Sequence, residues 1–340
     1  MQPSVERIFL PSSWQKVDVV YFQFQQMLHS LLTSSIMQDD NLVINESYPI
    51  ELPTPSGSVG EILSGHWARR THAKLCNGKD DMLVPLILYI NKTHTEEKGV
   101  NNVEPVCFTL GIFKKSVQMN PEAWHPLGYI NNTDVRDASS EQRKRFTGDT
   151  MIDFHTILKV ILRSLVSTQQ KGGVLWDLEY KGKVHRVNLK LPICVIIGDA
   201  QGQDKLCAKY GSNNVDMLCR SCDCTMENAD NPFYKCQYKR MDAIKKLFYN
   251  GDLTALAKQN IHNVENAFFD CCFGDNGRGI YGATPFDTLH TVNLGLYDYA
   301  KQAFFSWFTD CNSYLLNQLS KKLMALCAHQ SERDMPRLMF

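Results

Sequence analysis

The stretch Leu191–Asp204, LPICVIIGDAQGQD, constrains the fold of this chain more than any other. Leu191 to Ile197 is an almost unbroken apolar run rich in β-branched residues, and Gly198 ends it. A run of that length and composition reads as a buried central strand rather than a helix. Asp199 then stands where the strand leaves the sheet, followed by the small, turn-prone Ala200, Gln201 and Gly202. Metal ligands and catalytic acids sit at the carboxyl ends of buried strands. An Asp in this position equally suits the cap of a helix beginning near Asp204. Both readings stay open on position alone.

The rest of the chain can support such a strand. At 340 residues, with 44% hydrophobic and 21% charged residues, it has the make-up of a folded protein of one large or two ordinary domains. Lys+Arg and Asp+Glu both number 36, so no global basic field announces nucleic acid, and any such binding would have to use local patches. The N-terminus lacks a basic segment followed by an apolar core, and the runs Leu83–Ile90 and Leu191–Ile197 are too short to span a bilayer. An intracellular location without a membrane is expected.

Periodicity sets the elements around the central stretch. Tyr21–Leu32 has the spacing of a helix, residues 36–60 are punctuated by Pro and Gly as a loop, and Glu61–Cys76 is a short, basic, amphipathic helix. Val84–Ile90, Pro105–Phe113 and Trp124–Ile130 read as three successive strands, and residues 131–148 as an exposed loop. In Met151–Thr168 the residues Phe154, Ile157, Leu158, Ile161, Leu162 and Leu165 fall on one helical face. Val174–Tyr180 and Lys183–Leu189, joined by Lys181-Gly182, read as a hairpin. Further on, Met241–Ala257 and Asn263–Cys272 look helical or mixed. A helix starting at Thr284-Pro285 should turn Leu289, Val292, Leu296, Tyr299 and Phe304 inward, and another covers Cys311–His329.

Three strands, a crossover helix, an inserted hairpin and a fourth strand suit a mixed sheet with flanking helices, and by analogy the opening half of a ribonuclease-H-like fold. In that fold the first and fourth strands lie side by side, and carboxylates at their ends hold divalent ions. Mg²⁺ takes hard oxygen ligands and keeps its waters; two such ions about 4 Å apart can activate an attacking oxygen and stabilise a leaving one. Asp199 occupies the fourth-strand position. The first-strand position falls in LILYINKT and is Asn91, a neutral amide that brings no anionic ligand. The nearest carboxylates, Glu96 and Glu97, follow in a loop.

Twelve cysteines are too many to pass over, and seven lie between Cys207 and Cys272. Without a secretory signal such clustering favours reduced thiols and metal over disulfides. Cys219-x2-Cys222 is one knuckle of a tetrahedral zinc site, with Cys236 downstream. Cys207 or Cys224 completes the set, with His290 a more distant option; a group of free thiols is the competing reading. The basic stretch Lys235–Lys246 could touch a phosphate backbone or form a solvated helix face.

Several stretches, taken in order, resemble the transposase-related reading frames of the Plavaka and Kyakuja–Dileera–Zisupton type, especially their protist branch. They are GEILSGHW (60–67), LVPLILYINKT (83–93), EPVCFTLGIF (104–113), AWHPLGYI (123–130), LPICVIIGDAQGQDKLCAKY (191–210), LCRSCDC…NADNP…KC (218–236) and TPFDTLHTVNLGL (284–296). The resemblance implies a DNA transposase with a ribonuclease-H-like core, a zinc-binding cysteine insertion and a helical insertion before a third acid. Asp199 matches the second acid, Cys219, Cys222 and Cys236 the cysteine motif, and His290 a histidine of the insertion. Two departures matter: Asn91 stands where the first Asp is usual, and no third acid is evident before Phe340.

The expected fold is therefore α/β, a ribonuclease-H-like mixed sheet with flanking helices, a cysteine-rich zinc insertion and a helical C-terminal part. Its expected parts are a helical and loop region over 1–80, the first section of the core over 81–206, the cysteine insertion over 207–240 and a helical insertion over 241–340. The closing run DMPRLMF lacks the pattern of a finished domain, so a fragment is expected. The expected function is that of a catalytically impaired, transposase-derived nuclear protein. Its partners would be transposon-end DNA and further copies of itself, with structural Zn and an ancestral Mg or Mn site as cofactors. The competing expectation is a zinc-stabilised DNA- or protein-binding module without catalysis.

Overall fold

The computed structural model describes residues 2–53, 61–94, 102–131, 150–211, 216–274, 277–286, 296–307, 314, 318 and 321–322. In chain order they form β1 (Ser4–Leu10), β2 (Gln15–Tyr21), α1 (Phe24–Leu32), α2 (His66–Leu75), β3 (Asp81–Leu83), β4 (Leu86–Ile90), β5 (Thr93–His94), β6 (Asn102–Leu110), β7 (His125–Asn131), α3 (Thr150–Gln170), β8 (Val174–Tyr180), β9 (Lys183–Lys190), β10 (Ile193–Ile197), α4 (Ala200–Leu206), α5 (Met241–Tyr249) and α6 (Leu253–Lys258), besides single helical turns. The chain divides into two compact units, residues 1–285 and 286–340.

The main sheet runs β1-β2-β7-β6-β4-β10, with the short β5 added on β6, and a second sheet runs β3-β9-β8. In the main sheet β4–β10 is the parallel pair, and the other pairings are antiparallel. Two prolines explain how the sheets are joined. Pro85 separates β3 from β4 and Pro192 separates β9 from β10, and neither can donate to a ladder. Each ribbon therefore leaves the small sheet, passes its proline and enters the main sheet beside the other. Val84 N–H bonds to Lys190 O and Leu86 N–H to Pro192 O, both at 2.8 Å, so the two ribbons stay parallel through the crossing. The run expected as one strand, Val84–Ile90, is accordingly split by Pro85.

Helix α3 realises the apolar face read from the sequence. Phe154, Ile157, Leu158, Ile161, Leu162 and Leu165 are buried in one core with Leu86, Leu88, Ile90, Val106, Phe108 and Leu110. The helix packs on β1, β2, β7 and α1. Gly128 on β7 allows the close approach: a Cβ there would lie 2.8 Å from Val20 O and 3.0 Å from Ile161. At the start of α3 the buried Asp153 accepts hydrogen bonds from the N–H groups of Ser12 and Ser13, both at 2.8 Å, and so ties down the β1–β2 turn.

Several expectations change. Tyr21 closes β2, and the helix expected from it begins at Phe24; the β1–β2 hairpin was not foreseen. β10 is not a central strand: among the described residues it ends the main sheet with β4 as its partner, and Ile197 is exposed. Residues 263–272 are turns rather than helix. In the second unit residues 296–307 are helical, but Leu296, Tyr299 and Phe304 are exposed at 65%, 74% and 49% instead of facing inward. Leu289, Val292, the exposed loop over 132–148 and most of the helix over Cys311–His329 lie outside the described residues.

Candidate functional site

The parallel ribbons bring their tips together. β4 and β10 pair in the register Leu88↔Ile196 and Tyr89↔Ile197, so the next residues, Ile90 and Gly198, then Asn91 and Asp199, emerge side by side. Gly198 lies so close to β4 that a Cβ there would overlap Ile90 O. The Asp199 N–H points at Asn91 Oδ1, 3.5 Å away. Both side chains are half-buried. The Asp199 carboxylate also caps α4, its Oδ1 accepting the Gly202 N–H at 2.5 Å, while Asp199 O accepts the Gln203 N–H at 2.9 Å. Position as a strand-end carboxylate and position as a helix cap are thus realised by one residue. A Cβ on Gly202 would stand 3.1 Å from Asp199 Oδ1 and 3.9 Å from Asn91 Oδ1, so both oxygens border the space over that glycine.

Chemically this pair offers one anion and one neutral amide. The nearby carboxylate of Glu104 on β6 is committed to Lys205 of α4, at 2.8 Å, and the same ammonium lies 4.0 Å over the Phe154 ring. Glu96, Glu97 and His290 lie outside the described residues.

The cysteine-rich segment folds back on itself through two bridges, Met217↔Thr225 and Cys222↔Tyr238, reinforced by Leu218 N–H to Cys224 O at 2.8 Å. This brings the thiol of Cys222 against those of Cys219 and Cys236. Burial first, and then these two neighbours, push the Cys222 thiol above its ordinary range, against the Cys224 N–H, which lowers it. Cys224 is raised by burial and by Cys219, Cys236 and Asp223. The Ser221 N–H donates to Cys219 Sγ at 3.3 Å. Cys207 lies apart in the core, its Sγ 3.4 Å from Thr284 Oγ1 and its thiol pushed up to about 11 by burial. Among the described residues no group of three or more His, Cys, Asp or Glu side chains is arranged to hold a metal ion. Zinc would need these thiols, packed pairwise, to close round a common centre.

A link between the two regions was missed in the sequence. Arg220, inside the Cys219-x2-Cys222 knuckle, is buried and reaches α4. Its guanidinium donates to Asp204 at 2.8 Å, to Ala200 O and Pro285 O at 3.3 Å, and to Gln203 Oε1. Lys209 holds the other oxygen of Asp204 at 3.0 Å. Lys239 is also buried; its ammonium donates to Cys219 O at 2.8 Å and Gln259 O at 2.7 Å. Burial lowers its pKa to about 8 against the pull of Cys219, Cys207 and Cys222. A cation flanked by two knuckle cysteines was the available signal for Arg220; nothing local marks Lys239.

The described residues form a mixed α/β sheet whose adjacent parallel strands end on a carboxylate and an amide, with a thiol-bearing segment tied to the following helix. The particular family is the Plavaka transposases: their family model matches residues 11–300, and the chain belongs to it as a transposase-derived protein. No curated protein matches the chain. Among the described residues no helix is long and apolar enough to cross a membrane.

Proposed function

We propose that this chain is a nuclear DNA-transposase relic, with a ribonuclease-H-like strand-transfer core in which metal-dependent cleavage of transposon ends is impaired. The observation that carries this reading is the Asp199 N–H beside Asn91 Oδ1, at the tips of the two parallel strands. The strand order β7-β6-β4-β10, with its last pair parallel, supports the ribonuclease-H-like assignment. Asn91 and Asp199 would hold Mg or Mn, which when bound supplies charge stabilisation for phosphoryl transfer. With Asn91 neutral, the pair brings one negative charge instead of two, so the ion is held weakly. Asp199 would supply the one anionic ligand, and Asn91 would add only a carbonyl dipole. Cys219, Cys222 and Cys236, with Cys224 as the fourth, would hold structural Zn; the contacts of the Cys222 thiol with Cys219 and Cys236, and the burial of Cys207 apart from them against Thr284, support that set over Cys207.

The test is nicking of DNA by the purified chain with Mg²⁺ or Mn²⁺. Little or no nicking is expected from the wild type and a gain from Asn91→Asp; efficient wild-type nicking abolished by Asp199→Ala would overturn the impairment. A zinc-stabilised binding module without catalysis is the second reading, favoured by the engagement of Asp199 Oδ1 as a helix cap. No gain from Asn91→Asp supports the module.

A further inference from the structure

We propose that β1 is the interface through which two copies of this chain associate, by antiparallel pairing of their β1 strands about a two-fold axis at Arg7. Among the described residues β1 pairs with β2 alone, and its other edge ends the seven-stranded sheet. An unpaired edge of seven residues is a template for another strand unless charge, proline or a bulge blunts it. β1 carries no proline and no bulge, and its two charges, Glu6 and Arg7, are both paired within the chain, with Arg163 and Asp18. Its outward residues are Val5, Arg7 and Phe9, with Val5 62% and Phe9 48% exposed. In the small sheet the edge strand β8 instead turns Asp177 and Glu179 outward beside Leu175.

The apolar row continues into the turn. Trp14 is 77% exposed, and its ring meets the Phe9 ring edge-on with centroids 5.8 Å apart. Trp14 has a φ of 56°, a left-handed conformation that is costly for a bulky residue.

The occupant follows from self-complementarity. Antiparallel pairing that keeps both sheet faces continuous requires outward residues to oppose outward residues. With the axis at Arg7, Val5 of one protomer faces the partner's Phe9, and Phe9 faces the partner's Val5. Shifting the axis to Glu6 or Ile8 sets Val5 or Phe9 against the partner's Arg7. The two arginines meeting on the axis are each neutralised by Asp18, which takes Nε at 2.7 Å and Nη2 at 2.8 Å. On the inner face Glu6 is likewise satisfied by Arg163 at 2.6 Å. The contact is isologous and closes on itself, so a dimer forms rather than a filament.

The experiment is sedimentation equilibrium on the full chain, with far-ultraviolet circular dichroism as the folding control. The wild type is expected to show a monomer–dimer equilibrium. Val5→Lys and Phe9→Glu, both at exposed positions, should each weaken association at least about tenfold by setting a charge against an apolar side chain. Combining them should restore dimerisation, because the introduced lysine and glutamate face each other across the axis only in the Arg7-centred register. A wild type monomeric throughout the accessible concentration range overturns the proposal and leaves the row to a different partner. A dimer indifferent to both single substitutions, or a double variant as monomeric as the singles, overturns it as well.

Discussion

Arg220→Ala tests whether the cysteine knuckle and the helix that starts at Asp199 are one structural unit. The Arg220 side chain is 5% exposed and contacts Asp204, Gln203, Ala200 O and Pro285 O, whereas Asp204 is 29% exposed and keeps Lys209. Removing one partner of a buried ion pair costs roughly 3–5 kcal/mol, mostly from the charge left behind. Because Asp204 retains a second cation and some water, the lower end, about 3 kcal/mol, is expected. With a urea slope near 3 kcal/mol/M, this lowers the unfolding midpoint by about 1 M. Arg220→Lys should fall between, since an ammonium can reach Asp204 but cannot reproduce the fork to Gln203, Ala200 and Pro285. The assay is urea unfolding of the full chain followed by circular dichroism. A loss under about 1 kcal/mol for Arg220→Ala would refute the reasoning, because it would mean that water satisfies Asp204 as well as the guanidinium does.

Asp153→Ala strands the Ser12 and Ser13 N–H groups under the β1–β2 turn and should cost about 1–3 kcal/mol in the same assay. Gly128→Val pushes a side chain into Val20 O and Ile161, and should cost about 1–3 kcal/mol by overpacking. Asp81 yields a pH prediction. Burial would raise its carboxyl, but the Gly78 N–H, Asn188 and Lys190 outweigh burial and hold it below the ordinary value of 3.8. A depressed native pKa gives stability that is present above the unfolded value and lost as pH falls through the native one. The stability advantage of wild type over Asp81→Asn should therefore be constant above about pH 5 and shrink below pH 3.8; an advantage that grows on acidification contradicts the assignment.

Much of this fold is legible because its strongest elements are driven by burial. The spacing of Phe154, Ile157, Leu158, Ile161, Leu162 and Leu165 marks α3, and Lys181-Gly182, both at positive φ, mark the β8–β9 turn. The parallel apolar runs ending at Asn91 and Asp199 point to a shared location through the order of strands. The β1–β2 hairpin is illegible for the reason that makes it interesting: Val5 and Phe9 are apolar yet face outward, so the period-two pattern is blurred. Pro85 hides a change of sheet inside a continuous apolar run. Lys239 and Arg220 are charges buried by tertiary contacts, and no local pattern separates them from solvated neighbours.

Divalent-ion binding at the Asn91–Asp199 pair tests the central claim most directly, by titrating Mn²⁺ into the purified chain and reading free ion by electron paramagnetic resonance. Wild type should bind weakly there, Asn91→Asp should gain a tighter site, and adding Asp199→Ala should remove that gain. If Asn91→Asp binds no better, or if its gain survives Asp199→Ala, the two residues do not make one ion site and the account fails.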